Sequence, residues 1–374
     1  MIPLFRSHAF KAIFTLIVCL LLVLSLAPIG LADPSLDDLE IVNIPLLLKY
    51  LTFGESRGVL DPSFDGDGWA TLNFGSPFQW IYGIALQPDG KIVVAGSAVG
   101  DAYAECARAR YNPDGSLDPS FDDDGMLVTD ISGDTNSFKD IALQADGKIV
   151  AVGWASNGVS NDFALVRYNP DGSLDTSFSG DGIQATDFAS SNDAANGVAL
   201  QPDGKIVVAG SGGSSDIAVA RYNPDGSLDS TFDGDGKLLT SVGGIDRGND
   251  VALQPDGKIV VAGYTYADFT VIRYNADGSL DSTFDSDGKL VTDFQGNYDE
   301  GYALFLQPDG KIVVSGSANN GTNDDFALAR YNPDGSLDTS FDGDGKLMTD
   351  LSGNNDIAYA VVRQENGKLV VAGA

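Results

Sequence analysis

Short apolar runs, each closed by a turn signal, recur along nearly the whole chain. One copy reads NGVALQPDGKIVVAGSGGSSDIAVARYNPDGSLDSTFDGDGKLLT, from Asn196 to Thr240. Its apolar stretches are short and rich in β-branched and aromatic residues, which suit a pleated surface. The GVALQ, KIVVAG, FALVRYN and KLVTDF types of run predict four strands per unit, named A to D. Pro-Asp-Gly between A and B predicts a tight hairpin, with glycine free to take positive φ. The longer C–D connection, of the NPDGSLDTSFDGDG type, carries a Leu and a Phe expected to tuck under the sheet.

The spacing fixes the architecture. The LDxxF element begins at Leu60, Leu117, Leu174, Leu228, Leu280 and Leu337, a period of 52 to 57 residues. The A–B turn glycine recurs at Gly90, Gly147, Gly204, Gly257, Gly310 and Gly367. Four short antiparallel strands per repeat predict an all-β fold, a β-propeller of four-stranded blades. The chain stops at Ala374 just after a B strand. Near the other end, IPLLLKYLTFGESRGVLDPSF at residues 44–64 and Trp69–Phe74 read as C and D strands without A or B. The expectation is a six-bladed ring, closed by N-terminal C and D strands pairing with C-terminal A and B strands. Such closure would remove an aggregation-prone edge. A fragment of a longer repeat array is the alternative.

The elements QPDGKIVVAG and RYNxDGSLDxSFxxDG together resemble the delta-60 repeat, a family of secreted bacterial β-propeller repeats. The resemblance spans about residues 44–374 and implies fold and export rather than a particular activity. Departures are Ala145 and Ala276 in place of proline, and RQENGK at 363–368 in place of QPDGK.

Composition narrows the functional classes. The chain has 45 Gly and 15 Pro, too many breakers for a helical protein, and a formal charge of −31. So acidic a chain is a poor ligand for nucleic acid, which is held by Lys and Arg. Residues 1–32 have the layout of a signal peptide: Arg6 and Lys11, an apolar stretch from Ala12 to about Ala27, then Gly30-Leu31-Ala32. Residues 33–43 read as a short linker, and 44–374 as the propeller. Cleavage leaves 20 basic against 53 acidic residues, −33, and no later segment is apolar enough to span a bilayer. A secreted, cell-surface or envelope protein is expected, and a monomer.

The same cleavage removes His8, the chain's one histidine, and Cys19, leaving Cys106 alone. No internal disulfide then forms, and Ser–His–Asp, Cys–His and histidine metal sites are ruled out. Cys106 reads as a buried small hydrophobe, and no catalytic residue is assigned. The Asp-Gly loops, Asp65 with Asp67, Asp122 with Asp124, Asp233 with Asp235 and Asp342 with Asp344, crowd carboxylates as calcium sites do. They fail the EF-hand pattern, with Ser63 or Ser120 first and no closing Glu, so turn capping is favoured and no cofactor or metal is expected. Arg110, Arg167, Arg221, Arg273 and Arg330 lie beside acidic loops, where intra-blade ion pairs are expected.

What varies between repeats is more informative. The A–B and C–D connections are nearly constant, whereas the B–C and D–A connections differ in length and sequence. In an antiparallel blade alternate connections share one end, so all variable connections leave together. Binding residues ride on such loops. Trp80, Tyr82, Tyr103, Trp154, Tyr264, Tyr266 and Tyr298 are the candidate contacts, with aromatic faces suited to a protein or a glycan. A non-catalytic binding module is the leading expectation. A ligand-free envelope spacer is the alternative, and a propeller hydrolase or lyase using acids the least supported.

Overall fold

A computed structural model describes residues 39–43, 60–75, 79–99, 103–213, 215–266, 268–296, 298–351, 353–364 and 366–374. Among these residues every regular element is a strand. A short strand, β1 (Leu39–Asn43), is followed by five four-stranded sheets, each in simple sequential order. The first blade holds β2 (Gln79–Leu86), β3 (Ile92–Val99), β4 (Ala104–Tyr111) and β5 (Met126–Thr129). The second holds β6 (Asn136–Leu143), β7 (Ile149–Ser156), β8 (Asn161–Tyr168) and β9 (Ile183–Thr186). The third holds β10 (Ala194–Leu200), β11 (Ile206–Gly212), β12 (Asp216–Tyr222) and β13 (Lys237–Thr240). The fourth holds β14 (Asp246–Leu253), β15 (Ile259–Thr265), β16 (Asp268–Tyr274) and β17 (Lys289–Thr292). The fifth holds β18 (Asp299–Leu306), β19 (Ile312–Asn319), β20 (Asp324–Tyr331) and β21 (Lys346–Thr349).

The sixth sheet is partial. It contains β22 (Ala358–Arg363) and β23 (Leu369–Gly373), with β1 on the outer edge of β23. β1 runs parallel to β23, with Leu39 opposite Leu369 and Asn43 opposite Gly373. A blade's C strand would be antiparallel there. The residues expected as that strand, 44–58, lie outside the described residues, as does the leader. Residues 39–43, read from sequence as linker, thus carry a strand. The D strand expected at Trp69–Phe74 makes no ladder, and its partner would come from the same undescribed segment. Ala70, Leu72 and Phe74 still pack against Phe64, Ile92, Val94, Ala109 and Tyr111.

Two compact units divide the chain, one holding Glu55–Ser214 with Val219–Asp229 and the other Ser215–Ala218 with Ser230–Ala374. In the first unit the core lies between blades: Val93, Ala95, Cys106 and Phe121 of the first meet Phe138, Ile141, Ile149, Ala151, Val166 and Tyr168 of the second. In the second unit Val260, Val271 and Phe284 of the fourth blade meet Leu304, Val314 and Tyr331 of the fifth. This explains the continuous apolar runs of the B strands. Ile92–Ala98 is buried throughout, because both faces of that strand are covered.

The C–D Phe is buried as expected, at Phe64, Phe121, Phe178, Phe232, Phe284 and Phe341. The first five pack beside a turn glycine of the next repeat; a Cβ on Gly172 would lie 3.2 Å from the Phe121 ring. The accompanying Leu tucks under only in part: Leu117 and Leu337 are half-buried and pack against the core. Leu174 and Leu280 remain more than a third exposed, because their backbone is committed to a bridge with Tyr168 and Tyr274 that holds them at the rim. Neighbouring blades are also joined by buried tyrosines: Tyr222 donates to Thr186, and in the second unit Tyr274 donates to Thr240 and Tyr331 to Thr292.

Candidate functional site

In five repeats the constant end of the blade holds an ionic knot. In the second blade, Asp175 Oδ2 accepts from Arg167 Nε at 2.7 Å and Lys148 Nζ at 2.9 Å. Its Oδ1 accepts from the Ser177 amide at 3.1 Å and hydroxyl at 2.7 Å. Arg167 and Ser177 lie within eight residues of Asp175, while Lys148 comes from the A–B hairpin of the same blade. Arg167 then reaches the Pro224 carbonyl of the next repeat and lies over the Phe178 ring at 4.6 Å. Asp118, Asp229, Asp281 and Asp338 pair with Arg110, Arg221, Arg273 and Arg330 in the same way. Burial alone would raise these carboxyls, but the bonds from Lys, Arg and Ser or Thr prevail and hold Asp118, Asp175, Asp281 and Asp338 well below the usual carboxylate range. The arginines expected to form intra-blade pairs do so, with the Asp of the LDxxF element. The Asp-Gly loops act separately: Asp124 caps the Met126 amide at 2.8 Å and Asp344 the Lys346 amide at 2.9 Å.

Every A strand contains a β-bulge, a feature the sequence reading missed. The register slips around Tyr82, Lys139, Asn196, Asn249, Tyr302 and Tyr359. The cause lies in the facing B strand. A Cβ on Gly153 would sit 1.9 Å from the Ser137 carbonyl oxygen, and one on Gly316 1.9 Å from that of Glu300. The glycine of KIVVAG therefore accommodates the bulged carbonyl, and a glycine inside a strand pattern is the signal for it. The bulged residues differ between blades. In the first unit Lys139 Nζ stands 3.7 Å from the Tyr82 ring centre. In the second, Tyr302 donates to Glu300 and its ring meets Tyr359 edge-on at 5.2 Å. Burial pushes Tyr82 and Tyr359 up to about 12.

The candidate aromatics separate into two sets. Tyr103, Tyr266 and Tyr298 lie on variable connections and are 50%, 72% and 70% exposed. Trp80, Tyr82, Trp154 and Tyr264 do not: they sit half-buried on β2, β7 and β15. The reason is strand length, since the A and B strands run past the turn-proximal apolar core and take these residues into their ladders. Trp154 faces Ser137 and Phe163, and Tyr264 faces Arg247 and Phe269.

The variable end holds acidic clusters that no local motif announces. Asp162, Asp187 and Asp193 each offer a carboxylate oxygen within 4.8 Å of the other two. Asp268, Asp293 and Asp299 repeat the arrangement, as do Asp325, Asp350 and Asp356. The first member opens a C strand, the second lies on the D–A connection, and the third ends that connection. The third is buried: Asp193 and Asp356 are 1% exposed and Asp299 0%. Asp193 accepts the Phe188 amide at 2.6 Å and the Gly213 amide at 3.0 Å, tying two variable connections together. Asp299 likewise accepts from Phe294 and Asn319. Burial raises Asp299 to about 6, partly offset by those amides and reinforced by Asp293 and Asp268. Cys106 is a fully buried free thiol, pushed well up by burial.

Five segments, residues 87–121, 144–178, 201–232, 254–284 and 307–341, match a family model described as a β-propeller domain of unknown function, DUF5122. No curated protein matches the chain by sequence. Among solved structures the chain is similar to a catalytically inactive virginiamycin B lyase from Staphylococcus aureus with quinupristin, at 10% identity and TM-score 0.46, over 80% of this chain and 86% of that one. It is also similar to an ulvan lyase of polysaccharide lyase family PL25, at 12% identity and TM-score 0.44, over 77% and 81%. The WD40 repeats of RRP9 match at 12% identity and TM-score 0.40, over 69% and 62%. With repeated four-stranded antiparallel sheets at the same period, the five family matches make this chain a β-propeller repeat protein.

Proposed function

We propose that this chain is an exported, non-catalytic propeller of the delta-60 type that binds a protein or glycan through the variable ends of its blades. The observation that carries the reading is the contrast in exposure. Tyr103, Tyr266 and Tyr298 present wide aromatic surface on connections that differ between blades, whereas the constant connections are knotted by their own ion pairs. Large exposed aromatics are the residues that most often anchor a partner. Export rests on the leader-like layout of residues 1–32, and the absence of catalysis on a chain without histidine after residue 8. The test is a glycan and protein array probed with the purified protein and with the Tyr266→Ala, Tyr298→Ala double variant. Binding lost in the double variant supports the reading; binding that survives it intact overturns the choice of surface.

One observation favours a second reading, hydrolase or lyase chemistry at the A strands. The Glu300–Tyr302 pair, with Tyr359 against it, has no counterpart at the equivalent positions of the second blade, Ser137 and Lys139. Under the binding reading, Tyr302→Phe leaves array binding unchanged.

A further inference from the structure

We propose that Asp162, Asp187 and Asp193 of the second and third blades form a calcium site; the acids at 268, 293 and 299 and at 325, 350 and 356 repeat its three-carboxylate arrangement. Three carboxylate oxygens within 4.8 Å of one another make an all-oxygen donor set, which suits a hard divalent cation and not zinc or copper. Acidic residues on a surface commonly gather without an ion, but this group contains an oxygen that calls for one. Asp162 is 9% exposed, and its Oδ1 is buried without a hydrogen-bond partner. Its Oδ2 is held by Asn157 Nδ2 at 3.0 Å, which fixes the carboxylate. A buried carboxylate oxygen without a donor is a costly thing to keep unless a cation completes it.

The rest of the site is already in place. Asp193 is immobilised by two backbone amides, and the backbone at Asp193 donates to the Asn161 carbonyl beside Asp162 at 2.7 Å. An ion here would draw together the start of a C strand, a D–A connection and the start of the next A strand. Two blades supply natural controls. The first has Glu105, Asp130 and Asn136 at these positions, and the third has Asp216, Ser241 and Asp246. Asn136 uses its Oδ1 to accept the Cys106 amide at 2.7 Å, a structural bond in place of a ligand.

The experiment uses the whole protein, stripped with a chelator and titrated with calcium chloride alone by calorimetry, with thermal melting in parallel. At least one equivalent of calcium is expected, at the Asp162 group, with a higher melting temperature when calcium is present. The triple variant Asp187→Asn, Asp293→Asn, Asp350→Asn changes exposed residues only. It is expected to keep the parent's far-ultraviolet circular dichroism and calcium-free melting temperature while losing the binding heat. Failure of calcium at millimolar concentration to give heat or a melting shift overturns the proposal. So does undiminished binding by the triple variant. Neither readout involves a glycan or protein partner, so the outcome is independent of the array.

Discussion

The two ends of a blade use the same side chain in opposite ways. At the constant end, Asp281 is buried among Arg273, Lys258 and Thr283, and four donors keep it ionised. At the variable end, Asp299 is buried among backbone amides and two other carboxylates, and burial draws it toward the protonated form. Burial is common to both, so burial alone does not decide what an aspartate does. The surrounding charge does. The constant end assembles its partners from within one blade and is complete in five repeats. The variable end assembles its acids from three elements and leaves charge unbalanced.

The same substitution should therefore have opposite weight at the two ends. Asp281→Asn leaves the Arg273 guanidinium, 4% exposed, without its acid. Breaking a buried pair from one side costs about 3–5 kcal/mol, and that loss is expected in urea denaturation of the variant. A loss below about 1 kcal/mol, typical of exposed pairs, would collapse the distinction drawn here.

A smaller effect, of opposite sign, is expected within a single strand. Arg110 and Arg108 lie two residues apart on β4. Arg110 has Asp118. Arg108 is fully buried, with Nε and Nη1 lacking any hydrogen-bond partner; Nη2 donates to Thr129 Oγ1 at 3.2 Å, and the guanidinium lies over the Tyr168 ring, 3.2 Å from its centre. Burial accordingly lowers its pKa, against the influence of Tyr168 and Cys106. The equivalent residues of the next four blades are Leu165, Val219, Val271 and Leu328. Arg108→Leu is expected to stabilise the protein by about 1–2 kcal/mol, since apolar replacement of a poorly partnered buried charge is neutral or favourable. Destabilisation in the same denaturation assay would mean that Arg108 has a partner or purpose that its neighbours do not reveal.

Much of this was legible in the sequence because it is local. Pro-Asp-Gly specifies a hairpin within five residues, and the Arg-Tyr and Leu-Asp elements that meet as Arg167 and Asp175 are eight residues apart. The bulges were half legible: the strand glycine was visible, but the carbonyl that it accommodates belongs to another strand. The acid groups were not legible at all. Asp162, Asp187 and Asp193 are separated by a strand and two connections, and only the fold brings them together. Trp80 and Trp154 were misplaced for a related reason, since sequence marks where a strand's apolar core lies more clearly than where its ladder stops.

The smallest effect tests the electrostatics of the two ends directly. Asp299 in the folded protein sits near 6, above its ordinary 3.8, and Asp193, Asp268 and Asp325 are raised in the same direction by burial. A carboxyl raised on folding binds its proton more tightly in the native state. Its contribution to stability is present in full below the unfolded value and is lost as pH rises through the folded one. Asp118, Asp175, Asp281 and Asp338 are lowered, so theirs is present above the unfolded value and is lost as pH falls. The variable end should favour pH 5 over pH 7, and the constant end should fail only below about pH 4. In a chelator-containing buffer the melting temperature is expected to peak near pH 5. Asp299→Asn should flatten the limb between pH 5 and pH 7 by an amount of the order of 1 kcal/mol, and leave the acid limb in place. An unchanged neutral limb would show that Asp299 is ionised in the folded protein like its counterparts at the other end, and the contrast between the two ends would be one of geometry alone.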